Sequence, residues 1–251
     1  MAELSISRIS LAFGGLEVLR DVSFEARAAE LLALIGPNGA GKTSILNCIS
    51  GLYRPASGTI RFGGADLAGC APHLVARAGI ARTFQHGELF LQMSVVENLL
   101  VARHALFRTG LLAEALHLPA LRAAEVEHRR RVEEILELVE LERYRHRRVE
   151  SLPFGVQKVV GFARALAMEP KALLLDEPSA GLNREEREDL ARYILRIRHK
   201  LGIVMIWVEH DMQMVADLAD RVCVLDRGQV LADGPAGVVL KDPRVIAAYI
   251  G

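Results

Sequence analysis

Short apolar runs bounded by turn residues alternate with longer stretches in which apolar residues recur every three or four positions. Leu4 to Leu11 and Val18 to Ala26, on either side of Gly14-Gly15, read as two antiparallel strands. Leu31 to Ile35 is apolar at every position, the pattern of a central parallel strand. Further strand signals are Thr59 to Phe62, which follows the turn-rich Tyr53 to Gly58, then Gly79 to Phe84, Ala172 to Leu175 and Ile203 to Val208. Arg221 to Leu225 and Gln229 to Asp233 flank Asp226-Arg227-Gly228 and read as a hairpin.

From Met93 to about Met168 the period is helical. Val95, Leu99 and Ala102 share one face, and Val132, Ile135, Leu136 and Val139 share another. Leu106 to Leu121 is leucine-rich but broken by Gly110 and Pro119, too interrupted for one helix. A later helix, Arg184 to Leu201, carries a stripe of Leu190, Ile194, Ile197 and Leu201. Interleaved strands and helices predict an α/β fold with a largely parallel sheet, whose ligands sit beyond the strand carboxyl ends. Gly36, Gln85, Asp176 and His210 all follow predicted strands at that edge.

Composition narrows the function classes. Of 251 residues, 51% are hydrophobic and 25% charged, an ordinary folded chain. Lysine plus arginine (31) equals aspartate plus glutamate (31), so no global charge draws the chain to nucleic acid. The basic clusters His128-Arg129-Arg130-Arg131 and Arg143 to Arg148 lie in a charged region, and neighbouring glutamates offset the first, which reads as a solvated helix face. No run approaches the roughly 20 apolar residues that cross a bilayer. Met1-Ala2-Glu3-Leu4-Ser5 has no leader pattern, so the chain is expected in the cytoplasm. Cys48, Cys70 and Cys223 have no metal-ligand spacing and read as small packing residues.

The chemistry starts at Gly36-Pro37-Asn38-Gly39-Ala40-Gly41-Lys42-Thr43, followed by Ser44, between an apolar strand and a helix. In such a loop glycines let successive backbone N–H groups point at phosphate oxygens, and the helix adds its positive end. Lys42 reaches the β- and γ-phosphates, and the Thr43 hydroxyl ligates Mg²⁺. Asp176 suits the Mg²⁺ shell, and Glu177 can polarise an attacking water. His210 can donate to the γ-phosphate, and Phe13 can stack on an adenine ring or pack in the core.

Together these residues resemble the ATPase subunits of ATP-binding-cassette transporters, in the order phosphate loop, Gln85, signature segment, Asp176-Glu177-Pro178, Ser179-Ala180-Gly181-Leu182-Asn183 and His210. The resemblance covers essentially the whole chain. It implies a nucleotide-binding P-loop core with an N-terminal antiparallel β subdomain (1–92 and 169–251) and an inserted helical subdomain, about 93–168. It also implies ATP and Mg²⁺, with Phe13 on adenine, Gln85 linking the Mg²⁺ and water site to the membrane partner, and His210 sensing the γ-phosphate. The implied assembly is a head-to-tail homo- or heterodimer with a second ATPase subunit, two permeases and an external solute-binding protein, on the cytoplasmic face of the inner membrane, without nucleic acid.

Phe13-Gly14-Gly15-Leu16, Arg82-Thr83-Phe84-Gln85, the Leu106 to Leu121 insert, Glu209-His210-Asp211-Met212 and the ending Val245 to Gly251 resemble the larger ATPase subunit of branched-chain amino acid importers. Relatives of that group carry urea or short amides, and exporters of the lipopolysaccharide-extraction type or soluble cassette ATPases are the alternative readings. The signature departs from the family's Leu-Ser-Gly-Gly-Gln. Here it reads Leu152-Pro153-Phe154-Gly155-Val156-Gln157, without the hydroxyl and the amide that Pro153 and Val156 replace. Phe154, Gly155 and Val156 are the residues implied to meet the partner's ATP, and the altered segment predicts a weaker composite site.

Overall fold

The computed structural model describes residues 3–83, 89–106 and 119–250. Strands β1 (Glu3–Phe13) and β2 (Leu16–Arg27) form an antiparallel hairpin around Gly14-Gly15. Strand β1 also pairs with β4 (Ser57–Phe62), which pairs with β5 (Ala65–Asp66), giving a four-stranded antiparallel sheet ordered β2-β1-β4-β5. The inward positions of this sheet, such as Leu4, Ile6, Ile9, Val22 and Ile60, are buried in one core with alternate residues of the parallel sheet.

That second sheet has six strands in the order β10-β9-β3-β8-β7-β6. Its members are β3 (Leu31–Ile35), β6 (Ile80–Thr83), β7 (Ala172–Asp176), β8 (Val204–Val208), β9 (Arg221–Asp226) and β10 (Gln229–Pro235). All neighbours are parallel except β10, which folds back on β9 as the hairpin predicted from the sequence. Strands β3, β7 and β8 are buried at every position, as strands covered on both faces must be.

The helices are α1 (Lys42–Ile49), α2 (Pro72–Arg77), α3 (Val95–Arg103), α4 (Pro119–Leu138), α5 (Phe154–Ala167), α6 (Arg184–Leu201), α7 (Met212–Leu218), α8 (Ala236–Val239) and α9 (Pro243–Ile250). The chain divides into two units. One gathers Met1–Gln85, Lys171–Ala180 and Ile194–Gly251, and the other His86–Pro170 and Gly181–Tyr193. The first holds both sheets, and the second holds α3, α4 and α5. The mixed α/β class with a mostly parallel sheet and a separate antiparallel sheet is as the sequence predicts.

Phe13 is the last residue of β1, and helix α1 starts at Lys42, within the loop motif itself. Two local readings change. Leu201, placed on the apolar stripe of α6, is 48% exposed at the end of its helix, while Leu190, Ile194 and Ile197 are buried. His128 is buried, although Arg129, Arg130 and Arg131 beside it are exposed as expected. Its Nδ1 accepts from Arg103 Nε at 3.0 Å, and Arg103 also donates to the Ala167 carbonyl and to Glu169. Burial and the Arg103 charge hold the His128 imidazole below its ordinary range. Of the interrupted segment Leu106 to Leu121, residues 107–118 lie outside the described residues, as does Gln85.

Candidate functional site

The phosphate-type loop leaves the end of β3. Gly36 takes φ 147, and a Cβ there would lie 2.0 Å from the Leu225 carbonyl oxygen on β9, so only glycine fits. Lys42 is buried and turns back into the loop, where Nζ donates to the carbonyls of Gly36 (2.7 Å) and Pro37 (3.0 Å). Burial lowers the Lys42 ammonium from its ordinary range, and the Glu177 and Asp176 carboxylates pull it back up. The ammonium, already beside two carboxylates, thus occupies a cradle of carbonyls that anionic oxygens can replace. Asn38 and Gly39 are exposed at the loop tip, Ala40 and Gly41 are buried, Thr43 is exposed and Ser44 half-buried. The Ala40 carbonyl accepts from Gly228 N, which pins the loop to the β9–β10 turn.

Asp176 closes β7 and is 3% exposed. Its Oδ2 accepts from Arg82 Nη2 at 2.6 Å, and Arg82 Nη1 reaches Asn47 Oδ1 (2.6 Å) and Ser50 Oγ (3.1 Å) on α1 and its cap. Arg82 on β6 thereby ties the end of β7 to the helix of the phosphate loop. Asp176 Oδ1 is buried with no hydrogen-bond partner. A buried carboxylate oxygen left without a donor fits a hard cation that prefers oxygen ligands. Among the described residues no cluster of three His, Cys, Asp or Glu groups could hold a metal alone. Asp176 with the Thr43 hydroxyl suits Mg²⁺ completed by phosphate oxygens and water, the usual Mg²⁺ arrangement.

Glu177 follows at φ 46, a left-handed conformation in which a residue with a Cβ is strained. Its N–H donates to the Val208 carbonyl at 3.0 Å, which locks the ends of β7 and β8 together. Its Oε1 lies 2.6 Å from His210 Nε2, so the two side chains meet at the sheet edge. His210 is aimed by Glu209, a buried carboxylate that accepts from the His210 N–H (2.8 Å), Ser179 Oγ (2.6 Å) and Trp207 Nε1 (3.2 Å). Phe13 is 47% exposed and meets Tyr53 edge-to-face at 5.1 Å. Nearly half of the side chain thus remains accessible to a ligand.

The signature segment belongs to the other unit. Pro153 precedes α5 in extended conformation and supplies no capping side chain. Gly155 lies in the first turn, where a Cβ would come 2.2 Å from Glu186 Oε1. Glu186 and Asn183 exchange reciprocal bonds of 3.0 Å at the start of α6. The Phe154 ring is 55% exposed and rests against Gly181. Gln157, one place beyond the family's glutamine, turns its amide onto the Leu152 carbonyl at 2.9 Å.

The structure thus gathers Lys42, Asp176, Glu177 and His210 in one unit and puts Phe154, Gly155 and Val156 in the other. Gln85 lies outside the described residues. Arg82, Ser179, Glu209 and Glu186 entered the sequence reading only as motif neighbours or not at all; their partners lie up to 94 residues away, beyond any local pattern.

Comparison with known proteins agrees with this geometry. The ABC transporter family pattern matches residues 19–180. The high-affinity branched-chain amino acid transport ATP-binding protein LivG of Salmonella typhimurium is 40% identical over 99% of this chain and 97% of its own. The BraF protein of the same description from Pseudomonas aeruginosa is 39% identical with the same coverage. A sulfate/thiosulfate import ATP-binding protein of Agrobacterium fabrum is 36% identical over 99% of this chain but 68% of its own. Among solved structures, a nucleotide-free ATP-binding cassette from an ABC transporter superposes with TM-score 0.85 at 30% identity over 100% of both chains. The ADP conformation of an ATP-binding cassette of an ABC transporter gives 0.85 and 30% over 100% of this chain and 99% of that one. A phosphate loop, a paired acidic strand end and a histidine converge on one sheet edge, the family pattern spans residues 19–180, and the LivG relative matches over nearly the whole of both chains: the chain belongs to the ABC transporter family.

Proposed function

We propose that this ATPase drives an importer of branched-chain amino acids, working with membrane permeases, a second ATPase subunit and an external solute-binding protein. The observation that carries the reading is the sheet edge itself. Lys42 rests on carbonyls it can exchange for phosphate, with Glu177 and His210 in contact at the ends of the neighbouring strands. The amino acid cargo is supported by relatives matched over nearly their whole length, where the sulfate importer matches over two-thirds of its own. Among the described residues no helix is long and apolar enough to cross a membrane, which suits a subunit that meets the bilayer through permeases.

The residues divide the work as follows. Gly36 to Ser44 cradle the phosphates with backbone N–H groups and the start of α1. Lys42 leaves the Gly36 and Pro37 carbonyls to hold the β- and γ-oxygens. Thr43 and Asp176 would hold Mg²⁺, with Gln85 as the further ligand that the family resemblance implies, and the ion would neutralise the charge that develops on the phosphates. Glu177 accepts the proton of the attacking water. His210 touches Glu177 before nucleotide binds and turns its Nε2–H to the γ-phosphate once ATP is in place. Phe13 stacks on the adenine. In a head-to-tail dimer, Phe154, Gly155 and Val156 meet the partner's nucleotide with the first-turn N–H groups of α5.

Glu177→Gln in the assembled transporter tests the assignment. Turnover should fall by about 10²–10⁴-fold while ATP affinity is kept. Retained turnover removes Glu177 from the role of base. Failure of leucine, isoleucine or valine to stimulate the wild-type ATPase through the binding protein removes the cargo.

A further inference from the structure

The phosphate loop is also held from the far end of the chain. Val245 on α9 is buried among Ala33 and Ile35 of β3, Val222 and Val224 of β9 and Val215 of α7. Tyr249 stands four residues on and so shares the helix face of Val245. Its hydroxyl oxygen accepts the Gly36 N–H at 2.6 Å. Gly36 is a buried residue at the point where β3 ends and the loop begins. An N–H left without an acceptor there costs about 1–3 kcal/mol. Burial pushes the Tyr249 phenol up to about 12, with the Gly36 bond pulling the other way, so the oxygen stays a neutral acceptor through the physiological range.

Two side chains therefore fix Gly36 from opposite sides: Tyr249 holds its N–H and Lys42 holds its carbonyl. Phosphate oxygens compete with the Gly36 carbonyl for the Lys42 ammonium. The Tyr249 bond has no such competitor, because Tyr249 comes from outside the loop. We propose that Tyr249 is a positioning residue for nucleotide binding, which keeps the phosphate loop open at Gly36 once Lys42 has left its carbonyls. The inference rests on the ATP-binding reading of Gly36 to Ser44. Without the hydroxyl, the Gly36 peptide turns to find another acceptor, the loop relaxes, and binding must reorder it.

The test is Tyr249→Phe in the full chain, with ADP binding followed by calorimetry and ATPase kinetics in the assembled transporter. The ADP dissociation constant should rise by about tenfold and KM for ATP with it, while kcat stays within about twofold. A loss confined to melting temperature, or equal losses in KM and kcat, overturns the positioning role. A wild-type chain that does not bind ADP overturns the ATP-binding reading instead. A second measurement needs no variant. In the wild-type chain the Gly36 amide should resist hydrogen exchange equally with and without ADP, whereas Gly39 to Thr43 should gain protection only with ADP; a Gly36 amide that exchanges freely in either state refutes the latch.

Discussion

Helices α3 and α5, both in the second unit, begin in opposite ways. Ser94 starts α3 with a full capping box. Its hydroxyl accepts the Glu97 N–H, and the Glu97 carboxylate accepts the Ser94 N–H at 2.7 Å. Helix α5 starts at Pro153, with no capping side chain, and α1 starts at Gly41, which has none to offer. At both starts assigned to phosphate no N-cap side chain takes the first N–H groups. A missing cap is not diagnostic by itself, since the short helices α2 and α8 also lack one. What separates α1 and α5 is a glycine in or before the first turn whose Cβ would strike a neighbour. The two also differ from each other. The α1 start is fixed by bonds to Gly228 and Tyr249, from elsewhere in its unit. The α5 start is held within its own unit, by the Glu186 carboxylate against Gly155, the Phe154 ring against Gly181 and the Gln157 amide on the Leu152 carbonyl.

Substitutions can break that contrast. Gly36→Ala should have the largest effect. A Cβ 2.0 Å from a backbone oxygen cannot be relieved by a side-chain movement, so the loop or β9 must shift. Nucleotide affinity should fall by about 100-fold or more, with about 1–3 kcal/mol of stability lost in urea unfolding. Near-normal ADP binding would show that the loop is not rigidly placed. Next is the paired change Pro153→Ser with Val156→Gln, which restores a hydroxyl and an amide to the signature. One added hydrogen bond of about 1 kcal/mol should raise transporter ATPase by up to about fivefold. No gain in turnover would count against a weakened composite site.

Gly155→Ala should be milder than Gly36→Ala, because the atom it meets ends a flexible side chain. The Glu186 carboxylate can swing away at the cost of its bond to the Asn183 N–H, about 1 kcal/mol. In a double-mutant cycle with Glu186→Ala that cost should vanish; additive losses would refute the contact. The smallest effect belongs to the capped helix. Hydrogen bonds from the Ser94 backbone and hydroxyl hold the Glu97 carboxyl below its ordinary value. A lowered folded-state pKa stabilises above the unfolded value, and that stabilisation is lost as pH falls through the folded one. Glu97→Gln should therefore flatten the acid limb of melting temperature against pH slightly. Parallel curves for variant and wild type would remove the charge from the cap.

The strands other than the two-residue β5, the phosphate loop, the Asp176-Glu177 pair and the pairing of β9 with β10 were legible in the sequence, because each is a local pattern of apolar runs or loop spacing. Phe154 to Val156 were legible only through resemblance, because a proline-led helix start carries no spacing signal of its own. Helices α2 and α7 to α9 are too short to show a period. His128 looked like part of a basic surface because its neighbours are charged, and only the fold reveals Arg103 beside it. The Tyr249 bond to Gly36 joins residues 213 positions apart, a pairing that no window along the chain can contain.

The turn at Asp226-Arg227-Gly228 has a practical meaning for anyone tagging this protein. Hairpin tips are the usual choice for inserted reporters or affinity peptides. Here Gly228 donates to the Ala40 carbonyl, accepts from Arg20 N and would place a Cβ 2.4 Å from the Val18 oxygen, so added length would pull on the phosphate loop. Gly63-Gly64, where a Cβ meets nothing within 4 Å, is a better place to splice in a fluorophore or epitope.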